Sequence, residues 1–297
     1  MAYHADHMTL STTRGADRRT ALFRESAAET AERWALGLAW GLMPARIGGL
    51  PSLARLCFAE FLAPDYALPD PERALENPPG LAGIVHDLTL PILLAAYRRG
   101  LYPLAHIAPL KWWSPPRRSL LSFKDFHMSN NLRRFMRQDR YTVTFDRDFE
   151  RVIAACAGRR QGRWHLTWIT PRIMHVYAEA FDAGYVHSYE VWNKAGELVA
   201  GGYGTAYGGA FTGESQFAHE PNASKVGLAV LTWHLAKWRF RFFDGKLIGP
   251  LWESLGCRET PRSEFLARLA EAVRQPGKIG RWQVETDLAT VSRWQPE

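Results

Sequence analysis

The chain has 297 residues, 46% of them apolar and 12% aromatic, enough to bury one large core or two smaller ones. Its 37 Lys and Arg exceed its 30 Asp and Glu, and the resulting +7 charge and pI near 9.4 favour a polyanionic partner, nucleic acid or an anionic membrane surface. Cys57, Cys156 and Cys257 stand far apart with no Cys or His pair at metal-ligand spacing, so neither a zinc site nor a disulfide framework is expected, no metal is called for, and a reducing cytoplasm is the default compartment.

Residues 1–55 read as an N-terminal helical extension. After a polar start, Ser26 caps an amphipathic helix that runs to Met43, and Gly48-Gly49-Leu50-Pro51 breaks the chain. The apolar run Trp34 to Met43 is far shorter than the ~20 residues of a membrane span. Glu25, Glu29 and Glu32 precede it where a secretory signal would be basic. No stable membrane insertion is expected, and docking of the helix on the protein itself is the simpler reading.

Residues 56–118 read as a small N-terminal α/β domain. The Pro-rich stretch Tyr66 to Gly83 suggests loops and short strands. Thr89 caps a helix through Arg99, with Gly100 just past its end and Pro103 beyond. Trp112-Trp113-Ser114-Pro115 closes the region as a strand running into a turn.

Residues 119–297 alternate helices and strands in an α+β order. Ser129 caps a helix with Leu132, Phe135 and Met136 inward, and Phe149, Val152, Ile153 and Cys156 repeat the helical stripe on the next. Thr170-Pro171 opens a further helix that Gly184 ends. His187–Trp192, Glu197–Tyr207 and Ala210–Phe217 have strand composition and are separated by turn signals, which predicts an antiparallel meander. A helix from Ser224 to about Arg239, a strand Phe240 to Asp244, and a last helix opened by Thr260-Pro261 follow.

Chemistry concentrates where the meander ends. Glu214 lies in Phe211–Phe217, just before a helix start at Pro221-Asn222-Ala223-Ser224-Lys225; its carboxylate could orient an attacking amine, or it could be a paired surface group with Asn222 or Ser224 a plain cap. Asp244 ends an apolar strand and is expected beside Glu214, giving an anionic pocket suited to a cationic ligand, unless Lys246 neutralises part of it as an internal ion pair. Arg133, Arg134, Arg137 and Arg140 stand at spacings that gather most of them on one helical face, either a phosphate-binding surface or an ordinary solvated one. Trp112, Trp113 and Trp168 could stack on bases or serve as core. Gly201-Gly202-Tyr203-Gly204 lies inside a strand, so close packing explains it better than dinucleotide binding.

Taken together, several segments resemble the leucyl/phenylalanyl-tRNA-protein transferase family. They are Leu94 to Pro103, the WWSP at Trp112 to Pro115, Thr167-Trp168-Ile169-Thr170, His187-Ser188 with Glu190-Val191-Trp192, Gly213-Glu214-Ser215, Asn222 to Lys225, and Ser254-Leu255-Gly256. The resemblance runs from about Pro69 to Leu269 and leaves the first 55 or so residues outside. It implies a small N-terminal domain joined to a GNAT-type acyltransferase domain, and a monomer needing no cofactor. The implied activity moves Leu or Phe, with Met a further donor, from aminoacyl-tRNA to the N-terminal Arg or Lys of an acceptor protein in N-end rule degradation.

By position, the resemblance assigns Glu214, Asp244 and Lys246 to catalysis and Trp168 to the donor site. Leu228 and Val230 become walls of the donor side-chain pocket, and Leu104, Ser215, Gln216, Phe217, Asn222 and Ser224 further substrate-binding positions. The arginine helix with Trp112 and Trp113 becomes the tRNA-contacting surface. Lys246 replaces a Gln that the family carries two residues after the Asp, Leu104 replaces an aromatic after Pro103, and Gln216 replaces an apolar residue. Three other readings stay open: an acetyl-CoA-dependent GNAT enzyme, although Phe217 to Ser224 lacks the Gly-rich pyrophosphate loop; a transferase with another acceptor; and a non-catalytic binder of tRNA or protein N-termini.

Overall fold

The computed structural model describes residues 17–106, 108–159 and 164–296. Four helices come first: α1 at 17–22, α2 Ala27–Gly41, α3 Pro44–Ile47 and α4 Leu50–Leu62. Ser26 caps α2 through a reciprocal capping box with Glu29, as its sequence suggests. The extension docks on the protein through ion pairs of Arg19 with Glu150 and Asp182, and of Arg159 with Glu32, while Phe23 packs edge-on to His175. The buried face of α2 is Gly37 and Gly41, whereas Trp34, Leu38 and Leu42 are exposed.

The small antiparallel sheet has the order β1-β3-β2, with β1 Leu81–Ile84, β2 Tyr102–Leu104 and β3 Lys111–Trp113. Between β1 and β2 runs α5, Leu90–Arg98, whose chain reversal uses Gly100 in the left-handed region at φ 82°.

A seven-stranded sheet carries the rest, in the order β10-β4-β9-β8-β7-β6-β5. Its strands are β4 Arg117–Leu121, β5 Tyr141–Phe145, β6 Val186–Asn193, β7 Leu198–Tyr207, β8 Ala210–Ala218, β9 Phe242–Asp244 and β10 Arg258–Pro261. The helices of this region are α6 Asn130–Met136, α7 Phe149–Ala157, α8 Pro171–Asp182, α9 Ala223–Lys237, α10 Pro250–Ser254, α11 Arg262–Ala272 and α12 Leu288–Arg293. The meander β6-β7-β8 is antiparallel as expected, and α9 then crosses to β9, which pairs with β8 in parallel. A core cluster built with α5, α7, α8 and α11 lies on one face, and a second built with α6, α9 and α12 on the other. The glycines of β7 allow close packing: a Cβ at Gly202 would meet the Tyr189 ring at 2.7 Å.

Parallel pairing puts Thr212 of β8 beside Asp244 of β9, and β4 places Leu120 on the other side of Asp244. The carboxyl end of β9 therefore lies beside the first part of β8, two residues before Glu214, and the candidate site lies there.

Candidate active site

Glu214 reaches this position through a β-bulge. Tyr203 pairs with Ser215 and Gly204 with Gly213, so Glu214 has no opposing residue and its side chain is re-aimed. Its buried carboxylate accepts from Tyr97 Oη at 2.5 Å, Tyr177 Oη at 3.1 Å and Thr205 Oγ1 at 3.2 Å, and forms an ion pair with Lys246 Nζ. Burial, reinforced by the carboxylate, pushes both phenols well above their ordinary pKa, so they remain donors. A carboxylate offers about four lone-pair sites, and these four donors occupy them.

Lys246 adopts the left-handed conformation at φ 63°, and its amide donates to Asp244 Oδ1 at 2.8 Å. That turn brings its ammonium 4.6 Å from the Tyr102 ring and 5.3 Å from the Trp168 ring. Asp244 itself is fully buried against Arg118, whose Nε lies 3.2 Å from Oδ1 and whose Nη2 pairs with Oδ2. Thr212 Oγ1 donates to Asp244 at 3.1 Å, and Arg118 Nη1 donates to Gly100 O at 3.2 Å.

The expected anionic pocket is therefore corrected. Each carboxylate has its own cation, Lys246 for Glu214 and Arg118 for Asp244, because two bare carboxylates in an apolar interior would be heavily penalised. The internal ion pair is what forms. Arg118, Tyr97, Tyr177 and Thr205 were not among the sequence candidates. An Arg pair, Arg117-Arg118, leading into the apolar strand residues Leu120-Leu121 was the available signal for the first of them.

Beside the pair lies a pocket of about 200 Å³. It brings together Glu214, Lys246, Ser215, Gln216 and Leu228 with Tyr189, Phe211, Leu231, Phe243 and Trp252. Gln216 Oε1 accepts from Tyr189 Oη at 2.9 Å. Val230 and Phe217 do not line it. On α9, positions two apart point to different sides, so the pocket face is Leu228 and Leu231 while Val230 is core. Phe217 packs into the cluster on the opposite face of the sheet. Asn222, left-handed at φ 63° and making no side-chain cap bond, and Ser224 sit at the start of α9, outside the pocket lining.

Of the proposed tRNA contacts, Trp112 is 2% exposed and belongs to the core, so it has no face for a base. Trp113 donates its indole N–H to Leu104 O at 2.9 Å, and both residues line a different cavity against α2–α4. Arg133 is committed internally, donating to the carbonyls of Met128, Ser292 and Trp294. Arg134, Arg137 and Arg140 are exposed on the same helix and its C-terminal end.

Residues 120–270 match the family model described as leucyl/phenylalanyl-tRNA protein transferase, and residues 86–116 match the model of that enzyme's N-terminal domain. The chain belongs to the leucyl/phenylalanyl-tRNA protein transferase family. A leucyl/phenylalanyl-tRNA--protein transferase of Azotobacter vinelandii is 45% identical over 200 residues, covering 67% of this chain and 88% of the relative. Those of Anaeromyxobacter sp. and Alkalilimnicola ehrlichii are 41% and 38% identical and cover 74% and 80% of this chain, and 93% and 92% of their own lengths. Glu214, Asp244 and Lys246 lie inside the larger family match, Tyr97 and Tyr102 inside the smaller, Arg118 between the two, and α1–α4 before both.

Proposed function

We propose that the chain transfers Leu or Phe from aminoacyl-tRNA to the N-terminal amine of an acceptor protein, with Met a further donor and N-terminal Arg or Lys the acceptors that the resemblance implies. The observation that carries the proposal is the Glu214–Lys246 pair beside a pocket of about 200 Å³ with apolar walls from Leu228, Leu231, Phe211, Phe243 and Trp252, room for one apolar side chain next to a fixed ammonium.

The donor is an activated ester, so the site has to align it with a neutral amine and stabilise the charge that develops. The amine nitrogen attacks the ester carbonyl, a C–N bond forms, and the C–O bond to the terminal ribose breaks as that oxygen takes up the proton the nitrogen gives up. Lys246 spends one N–H on Glu214, and its remaining N–H bonds serve the tetrahedral oxyanion. Glu214, with its lone pairs occupied, is a positioning residue that holds the ammonium. Asp244 positions Lys246 through its backbone amide. Leu228, Ser215 and Gln216 form the donor side-chain wall, Trp168 flanks the ammonium, and Arg134, Arg137 and Arg140 meet tRNA phosphates. No step calls for a cofactor.

We further read residues 1–55 as an extension, 56–118 as a small domain and 119–297 as a GNAT-type catalytic domain acting in the cytoplasm as a monomer. The separate three-stranded sheet and the crossover from an antiparallel meander through α9 to a parallel strand support these parts, while the boundaries at 55 and 118 fall inside α4 and β4 and belong a few residues to either side. Among the described residues, no helix is long and apolar enough to cross a membrane.

The test is incubation of the purified protein with radiolabelled Leu-, Phe- or Met-tRNA and peptides beginning with Arg, Lys, Asp, Glu or Ala. Label on a peptide N-terminus is the expected result. Absence of label from every peptide would move the chain to another acceptor or to a binding role.

A further inference from the structure

Large apolar side chains of the extension stand more than half exposed: Trp34, Leu38 and Leu42 on α2, and Phe58, Phe61 and Leu62 on α4. Single exposed apolar residues are ordinary, but rows of them on neighbouring helices mark an interaction surface. The helices are already docked by their other faces. Gly37 and Gly41 of α2 are buried, and Trp40, Gly41, Leu50 and Leu53 line the cavity against the small sheet, which leaves the exposed side chains on the outer surface.

Charge decides which partner suits this surface. Each charged residue of α2 is tied down, Glu29 in the capping box with Ser26, Glu32 on Arg159 and Arg33 on Glu25. The stripe of Ala31, Trp34, Ala35, Leu38, Ala39 and Leu42 is exposed and uncharged. Residues 17–66 hold six Arg against six Asp or Glu. An anionic membrane or a nucleic acid would call for an excess of cations beside the apolar groups, and the extension has no such excess. A neutral, apolar protein surface is its complement.

The pattern on α2 selects a copy of itself. Trp34, Leu38 and Leu42 form an i, i+4, i+8 ridge, and Ala31, Ala35 and Ala39 form the shallow row beside it. Two such helices related by a two-fold axis can each lay its ridge in the other's row of alanines, so one surface supplies both halves of the contact. Exposed side chains of this size present on the order of 100 Å² each, and with the alanines the outer faces of α2 and α4 reach about the 800 Å² that a stable interface takes from each partner.

We propose that the chain forms a two-fold dimer through the outer faces of α2 and α4, with α2 packed against α2 of its partner at the centre. The monomer read above is implied by the resemblance, whose range begins at about Pro69. α2 and α4 precede that range and both family matches, so the dimer is the expectation for the chain with its extension.

Sedimentation velocity of the full chain over a wide range of concentration tests this. The wild type should sediment at twice the 33.7 kDa of one chain. Leu38→Glu and Ala35→Glu, each placing a charge in the contact, should weaken the dimer by about a hundredfold, while circular dichroism shows the helices retained. Leu38→Met, which keeps the ridge, should leave the dimer intact. A wild type that stays monomeric throughout, or a dimer that survives both charged variants, would overturn the proposal. So would a monomeric wild type that floats with phosphatidylglycerol vesicles and loses them in Leu38→Glu, which would make a membrane the occupant. A wild type that dimerises only once residues 1–16 are deleted would make that segment the occupant and overturn it too. Peptide labelling reads the function separately, so either reading can fail while the other stands.

Discussion

The Glu214 carboxylate receives the Lys246 ammonium together with three hydroxyl donors, and it does so from a bulge that no neighbouring strand residue opposes. The pair is almost wholly removed from water, with side-chain exposures of 9% for Lys246 and 0% for Glu214. Removing one member of such a pair leaves an uncompensated charge in the interior. Glu214→Ala should therefore destabilise the fold by about 3–5 kcal/mol. Lys246→Gln should cost less, because the amide can still donate to the carboxylate. Urea unfolding of the two variants measures the difference, and equal losses would show that the Gln amide does not replace the ammonium.

The same pairing bears on the acceptor. With each carboxylate matched by its own cation, the site has little net field to attract a cationic N-terminal residue. Lys246→Gln leaves the Glu214 charge unmatched. The ratio of kcat/KM for an Arg-initiated over an Ala-initiated peptide should then rise by about tenfold. An unchanged ratio would place acceptor selection elsewhere.

Burial, with the Arg46 and Lys111 charges nearby, pushes the His106 pKa down to about 4. In the unfolded chain an imidazole titrates near its ordinary ~6.5. Between those values the unfolded chain takes up a proton that the folded one refuses, so stability falls as pH drops from about 6.5 to about 4, by at most ~3 kcal/mol from this group. Burial also lowers the pKa of His187 and His234, which contribute to the same acid limb. The His106 share is the difference between wild type and His106→Asn in urea midpoints measured across that range. The variant should show the shallower fall.

The arginines of α6 and its C-terminal end divide by what they touch. Arg134, Arg137 and Arg140 are exposed, and replacing all three by Ala should lower the slope of log affinity against log salt for tRNA by about 2–3. Arg133 ties α6 to the carbonyls of Ser292 and Trp294. Arg133→Ala should loosen that C-terminal segment in hydrogen exchange and leave the salt slope unchanged.

Much of the fold was legible because it rests on local signals. Ser26, Ser129 and Thr170-Pro171 mark real helix starts, and the Gly-bounded apolar runs are β6, β7 and β8. Short elements were not legible. β10 and α10 are too brief to carry a period, and β4 was hidden by its leading Arg117-Arg118. At the site, Glu214, Asp244 and Lys246, expected from spacing and resemblance, lie together. Their partners were not, because Tyr97, Arg118, Tyr177 and Thr205 arrive from four separate elements and only tertiary packing brings them together. The bulge at Glu214 was equally invisible, since it depends on registry with β7. Val230 was misplaced by one helical step and Trp112 by its burial, and neither distinction can be read from residue type.

In the proposed reaction the ammonium of Lys246, held by Glu214, stabilises the charge of aminoacyl transfer. Single-turnover transfer from labelled Phe-tRNA to an N-terminal acceptor peptide by wild type, Lys246→Gln and Lys246→Met tests it most directly. Lys246→Met, with no donor, should be slower by about 10²–10³-fold, and Lys246→Gln, which keeps a donor, should recover a large part of the rate. Transfer by Lys246→Met at the wild-type rate, in a variant whose thermal midpoint shows it folded, would remove Lys246 from the chemistry.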